Sequence, residues 1–250
     1  MNRMNTYLLI AVLAIPLPVE AFRFVMHRRA AFQAAGGSTL TTGLVSWWGM
    51  QEASGTRADS HGSNTLQENG TGGVGQTNGH VQANAAYMVK SETDYLSITN
   101  NTSFDPEGGT SPISFNAWVY HDGRAGTAIM SKGNEIIYRV DNAHYEVILN
   151  SFTTNDRADD DLNPPLSEWV MRTFTYDGTT LEVYTNGVSA ASVEPTGSWA
   201  EITSDIYIGR WSSSYMDGRV EQVAWWTKGL TADEVTELWN SGAGLAYGDL

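Results

Sequence analysis

The residues in this chain that could do chemistry are carboxylates, a few histidines and many aromatics. Asp and Glu number 28 against 14 Lys and Arg, with five His, nine Trp, eleven Tyr and no Cys. Hydrolysis of a glycosidic bond needs two carboxylates set opposite each other at a fixed separation. An alternating Glu-x-Asp-x-x-Glu pattern along a strand would supply them, and none occurs. The densest acidic run, Asp159-Asp160-Asp161, is consecutive and sits beside Asn163-Pro164-Pro165. Its side chains must diverge, which suits solvation or a cation better than an acid/base pair. His27, His61, His80, His121 and His144 show no metal-ligand spacing. Ser212-Ser213-Ser214 lacks the strand-turn-helix setting of a nucleophilic serine. A polysaccharide lyase would want Tyr, His and Arg or Gln on paired strands. His121, His144, Tyr138 and Arg139 could supply these types, but no pattern draws them together. The expectation is a chain that is not an enzyme.

Recognition is the chemistry left. A sugar ring has an apolar face and a polar rim, so a platform for it is an exposed aromatic among hydrogen-bonding groups. Trp211, followed by Ser212, Ser213, Ser214 and Tyr215, is the best such stretch, in a loop between predicted strands over Ile206–Gly209 and Arg219–Trp225. Trp199 and Tyr120-His121-Asp122 are weaker ones. The candidate glycan-binding residues are therefore Trp211, Ser213, Tyr215, Tyr120 and Asp122. The other reading of Trp211 is a lid over the core. Trp47, Trp48, Trp118, Trp169, Trp225 and Trp239 read as core or sealing residues. A formal net charge of −14 argues against nucleic acid, which needs a basic face. It favours solubility and self-repulsion, and it leaves carboxylates for a hard cation.

Short strands bounded by Gly, Asn and Asp turns must position these groups. From residue 43 onward that pattern signals an all-β sandwich. Ile113, Phe115, Ala117 and Val119 should face the core, and Trp118 should pack under a loop or second layer. Phe174–Tyr176 and Leu181–Tyr184 form a hairpin across Asp177-Gly178, and Asn186-Gly187 makes a second turn. Val220, Val223 and Trp225 form the inward side of a late strand. Residues 60–80, rich in Gly and Asn, read as a loop. One helix is expected over Leu230–Gly242, with Thr231 and Glu234 as a capping box, Leu230 stapled on Val235, and Gly242 as the left-handed terminator.

Residues 1–37 form a separate arm. They carry four arginines and one glutamate, net +3, which leaves −17 for the rest. Arg3 followed by the apolar run Tyr7–Leu17 and a small residue at Ala21 fits a cleaved secretory signal. A retained anchor fits equally, buried on a membrane, on other subunits of a particle, or in a homo-oligomer. Gly36-Gly37-Ser38 reads as a hinge, so residues 38–250 form the expected domain.

A series of short segments also resembles a known family: Gly43-Leu-Val-Ser-Trp-Trp48, Asp59-Ser-His-Gly-Ser-Asn64, Ile113-Ser-Phe-Asn-Ala-Trp-Val119, Phe174-Thr-Tyr-Asp-Gly178, Leu181-Glu-Val-Tyr-Thr-Asn-Gly187, Ile206-Tyr-Ile-Gly209 and Gly218-Arg-Val-Glu-Gln-Val223. Their order resembles the laminin-G-like jelly rolls of the concanavalin A-like superfamily. The resemblance implies a jelly-roll sandwich with one C-terminal helix, and a binding rather than catalytic role. It also implies a structural Ca2+ tying an early loop to a late strand, with Asp59 and Glu221 at the matching positions and Asn64 in the same loop. Most relatives have Asp where Glu221 stands. A turn cap is the other reading of Asp59, and solvation that of Glu221. Glu52–Asn64 and Trp239–Tyr247 look like such domains in structural proteins of marine bacteriophages. That implies a virion surface module, a decoration or fibre protein touching host glycans. The alternatives are a secreted or cell-surface lectin and a carbohydrate-active enzyme.

Overall fold

The computed structural model describes residues 38–250 apart from 125, 143 and 162. The arm of residues 1–37, with both readings of it, lies outside the described residues. The chain divides into Met1–Ser38 and Thr39–Leu250, and the second unit holds every described strand.

In chain order the strands are β1 (Leu44–Trp48), β2 (Gln67–Asn69), β3 (Gly75–Asn78), β4 (Asn84–Met88), β5 (Tyr95–Ile98), β6 (Ile113–His121), β7 (Thr127–Lys132), β8 (Ile136–Asp141), β9 (His144–Leu149), β10 (Phe152–Thr154), β11 (Arg157–Asp159), β12 (Trp169–Tyr176), β13 (Leu181–Thr185), β14 (Val188–Val193), β15 (Thr196–Gly197), β16 (Ile206–Ile208), β17 (Arg210–Trp211), β18 (Ser214–Tyr215) and β19 (Gly218–Trp226). One α-helix, α1 (Ala232–Trp239), follows. An eight-stranded sheet runs β14-β13-β12-β6-β19-β4-β3, with β1 also on β19, and a seven-stranded sheet runs β11-β9-β8-β7-β16-β5-β2. The strand ladders are antiparallel. The fold is an all-β jelly-roll sandwich with one short C-terminal helix.

Alternation on β6 explains how the layers stack. Ile113, Phe115, Ala117 and Val119 enter the main core between the sheets. Trp118 turns the other way into a second core with Trp47, Trp226, Val235 and Leu238. There its ring stacks on Trp239 of α1 at 5.1 Å. The eight-stranded sheet is thus covered on both faces and the helix is its outer layer. A bulge at Gln222 (φ 48°) shifts the β19 register between Glu221 and Ala224. The extra residue lets Val220, Val223 and Trp225 all face inward, since a bulge resets the two-residue alternation.

Asn186-Gly187 closes β13 onto β14, pairing Thr185 with Val188, with φ of 53° and 78°. Positive φ at both central residues is the type I′ requirement that selects Asn-Gly. Thr231 and Glu234 form the capping box of α1. Three expectations need correction. The helix ends at Asn240, which takes the left-handed position (φ 47°) two residues before Gly242. Residues 60–80 include β2 and β3, each at the end of a sheet order. An edge strand needs a ladder on one side only and tolerates Gly, Gln and Asn. Trp211–Tyr215 is a short hairpin, β17 on β18, turned through Ser212 at φ 53°.

Candidate functional site

The outward face of the seven-stranded sheet carries the candidate site. Along β5, β8, β9, β11 and β16 the apolar residues Leu96, Tyr138, Val147, Ala158 and Ile206 go inward. Tyr95, Arg139, Glu146, Asp159 and Tyr207 alternate with them and face out. The β17–β18 hairpin lies over this face. Trp211, half-buried, has the Arg139 guanidinium 4.5 Å from its ring centroid, and its indole N–H donates to Asn134 Oδ1 at 3.1 Å. Arg139 is itself held: its Nε is 2.5 Å from Glu146 Oε1, and Arg157 reaches the other oxygen of that buried carboxylate at 2.9 Å. The platform therefore rests on a braced row of charges and not on a mobile loop.

Arg210 goes the other way from Trp211, as neighbours on a strand do. Its guanidinium carbon lies 4.7 Å from the Tyr95 ring, 5.0 Å from Tyr207 and 5.7 Å from Tyr215. Between these two clusters runs a groove of about 230 Å³ lined by Asn134, Glu135, Ser204, Tyr207, Arg210 and Ser212, among others. The Tyr207 hydroxyl is held above its usual pKa, first by burial and then by nearby Asp205. Ser213 is exposed at the hairpin tip. A larger groove of about 730 Å³ is lined by His61, Asn64, Asn101, Ser103, Asp105 and Glu107, among others, with no Trp or Tyr. It offers no stacking surface.

The structure separates the five expected glycan-binding residues. Trp211, Ser213 and Tyr215 share the hairpin. Tyr120 and Asp122 lie at the end of β6 in the other sheet, where Arg219 sits 4.1 Å from the Tyr120 ring and 3.9 Å from Asp122. Trp199 is corrected to core: it is 6 % exposed, packs on Phe152 and Tyr176, and donates to the Ser111 carbonyl.

A second arginine–tyrosine cluster lies between the sheets. Arg172 is fully buried, 2.6 Å from Asp160 and 3.8 Å from the Tyr145 ring centroid, and its Nε donates to the Tyr138 hydroxyl at 2.7 Å. Burial raises the pKa of both tyrosines. His121 stacks beside Tyr145 at 5.6 Å. Burial first, then Arg172 and Arg124, push its pKa down to about 4. Of the four residues weighed for a lyase and set aside, only Tyr138 and His121 belong here; Arg139 and His144 are on the outward face. Asp160 turns inward while Asp159 and Asp161 stay outside, as a consecutive run must. Those two approach His144 Nδ1 at 3.4 and 3.5 Å, a convergence the sequence spacing did not show.

A laminin G family model, described as the concanavalin A-like lectin/glucanases superfamily, matches residues 90–236, more than half of the chain. The chain belongs to this superfamily. No curated protein matches it. Solved structures resemble this concanavalin A-like domain in fold alone. The binding domain of Paraclostridial mosquitocidal protein 1 is 15% identical with a TM-score of 0.65, over 82% of this chain and 53% of that one. Domain 4 of AbnA, an extracellular arabinanase from Geobacillus stearothermophilus, in complex with arabinotriose, is 16% identical with a TM-score of 0.55, over 78% of this chain and 97% of that one. The binding domain of botulinum neurotoxin DC in complex with SialylT is 12% identical with a TM-score of 0.59, over 81% and 52%. The chain spans about half the length of the toxin binding domains it matches.

In this concanavalin A-like domain the two expected metal carboxylates accept from backbone amides, and Asn64 bonds neighbouring side chains. Asp59 accepts from the amides of Trp47, His61 and Asn64, each at 3.0 Å, and so closes the 59–64 turn onto β1. Asn64 donates to Ser46 Oγ and accepts from Asn101. Glu221 is not solvated: it is 0 % exposed and accepts from the amides of His80, Val81 and Gln82. Burial raises its pKa against those three bonds. Each carboxylate thus closes a different loop.

Proposed function

We propose that this domain is a non-catalytic glycan-binding module, with the β17–β18 hairpin and the groove beside it as the sugar-binding face. The observation that carries the reading is Trp211, a half-buried indole braced by Arg139 and Asn134 at the rim of a polar groove. Apolar ring face and hydrogen-bonding rim are the two things a pyranose needs. The groove is smaller than the roughly 300–1,000 Å³ of small-molecule pockets. It suits one residue of a chain lying across the surface. Glu135 is the one carboxylate among the groove's lining residues, whereas hydrolysis takes two. Solved neighbours in complex with arabinotriose and SialylT support a sugar ligand for the fold, and the AbnA domain does so over nearly its whole length.

The test is a glycan array probed with wild-type protein and Trp211→Ala. The expected result is binding to a restricted set of glycans, weakened at least about tenfold by the substitution. Full retention would move the site elsewhere, first to Tyr120 and Asp122. The likeness of Glu52–Asn64 and Trp239–Tyr247 to phage structural domains favours display on a particle. Mass spectrometry of purified virions, with the N-terminal peptide identified, separates that from a secreted lectin with a cleaved signal.

A further inference from the structure

We propose that Arg210 makes this face selective for acidic glycans, those carrying a carboxylate or a sulfate ester. The inference rests on the reading of the Trp211 face as the sugar-binding surface and adds the charge of the sugar. Of the six other described arginines, Arg57, Arg139, Arg157, Arg172 and Arg219 each have a carboxylate within 3.9 Å, and Arg124 donates to the Pro164 carbonyl. Among the described residues Arg210 has no such partner, in a chain whose acids outnumber its bases two to one. It has three tyrosine rings instead, and its Nε donates to the Ser212 carbonyl. The rings hold the planar guanidinium in place, so little side-chain freedom is lost when it meets an oxyanion.

The nearby acids are engaged elsewhere. Glu135 accepts from Ser204 Oγ and the Asn134 amide. Asp205 accepts from the Asn100 amide and lies near the Tyr207 hydroxyl. Arg210 lines the groove directly, while Trp211 reaches it through Asn134. A sugar ring placed against Trp211 can thus extend an acidic group toward the unpaired cation. Arginine's fork binds carboxylate or sulfate through two parallel hydrogen bonds, stronger than neutral ones. The overall charge of −14 repels anions at long range, so selectivity for an acid must come from such a local contact.

The experiment is calorimetric titration of the full-length protein with tetragalacturonate, its methyl ester and a sulfated galactan tetrasaccharide. Arg210→Gln, Arg210→Lys and Trp211→Ala are run alongside, with melting temperatures to confirm folding. At least one acidic sugar should bind about tenfold or more tightly than the ester, and the tighter of the two identifies the acid. Arg210→Gln should erase that margin by weakening acid binding far more than ester binding, and Arg210→Lys should keep part of it. Equal wild-type affinity for acid and ester, with both lost in Trp211→Ala, overturns the charge selectivity and leaves the sugar face standing. Binding that survives Trp211→Ala overturns the face itself. Absence of binding by both acidic sugars overturns this inference.

Discussion

Two arginines in this domain sit among tyrosines, and they live by different rules. Arg172 lies between the sheets with Tyr138 and Tyr145, out of contact with water. A buried cation is tolerated only with a counter-charge, and Asp160 is set against it at 2.6 Å. Arg210 lies on the outer face with Tyr95, Tyr207 and Tyr215 and keeps its charge without a described acidic partner. Water supplies there what Asp160 supplies inside. The same residue types thus give a structural strut in one place and an available cation in the other. Solvent access decides which.

The comparison breaks most readily at the buried end. Asp160→Asn should destabilise the domain by about 3–5 kcal/mol, the usual cost of stranding one member of a buried pair. Chemical denaturation measures it, and a loss below about 1 kcal/mol would mean Arg172 is solvated. Next in size is acid sensitivity through His121, whose pKa falls from 6.5 to about 4 on folding. A base held neutral in the fold binds fewer protons than in the unfolded chain. Its contribution is present above pH 6.5 and lost as pH falls toward 4. At 1.36 kcal/mol per unit this amounts to on the order of 3 kcal/mol. His121→Gln should flatten that part of the stability–pH curve, and an unaltered slope would refute the assignment.

Asp59→Ala leaves three amides without their acceptor and should cost about 1–2 kcal/mol. A chelator effect on wild-type melting that this variant abolishes would place a calcium ion there as well. At the exposed end the effects on stability shrink. Trp211→Ala should cost about 1 kcal/mol, because its ring is only half-buried. Arg210→Gln should change stability by about 0.5 kcal/mol or less, since no ion pair is broken. A loss from Arg210→Gln as large as that from Asp160→Asn would erase the distinction between the two clusters.

How much of this was legible depended on the range of each interaction. Alternation on β6 and the Asn186-Gly187 turn are local, and residue order shows them. The face carrying Trp211 was legible because an indole amid serines has no packing pattern to satisfy. Trp199 looked similar beside Gly197 and Ser198, yet it closes over Phe152, 47 positions away in sequence. No local signal reports that. Arg210 went unread, and Arg139 was weighed only as a lyase residue type, because a cation's partners lie on other strands, although Arg210's position next to Trp211 was a usable cue. Glu221 read as solvated or ion-binding because the loop that cradles it, residues 80–82, is 139 or more positions away.

The central claim is that sugar is taken on the Trp211 face. The most direct measurement is a two-dimensional NMR titration of the indole N–H signals with the glycan that the array identifies. The Trp211 indole, bonded to Asn134 at the groove, should shift in a saturable way. The buried indoles of Trp47, Trp118, Trp225 and Trp226 should stay in place. A saturable shift at Trp169, next to Tyr120, with Trp211 unmoved would place the site on the opposite sheet and contradict the account.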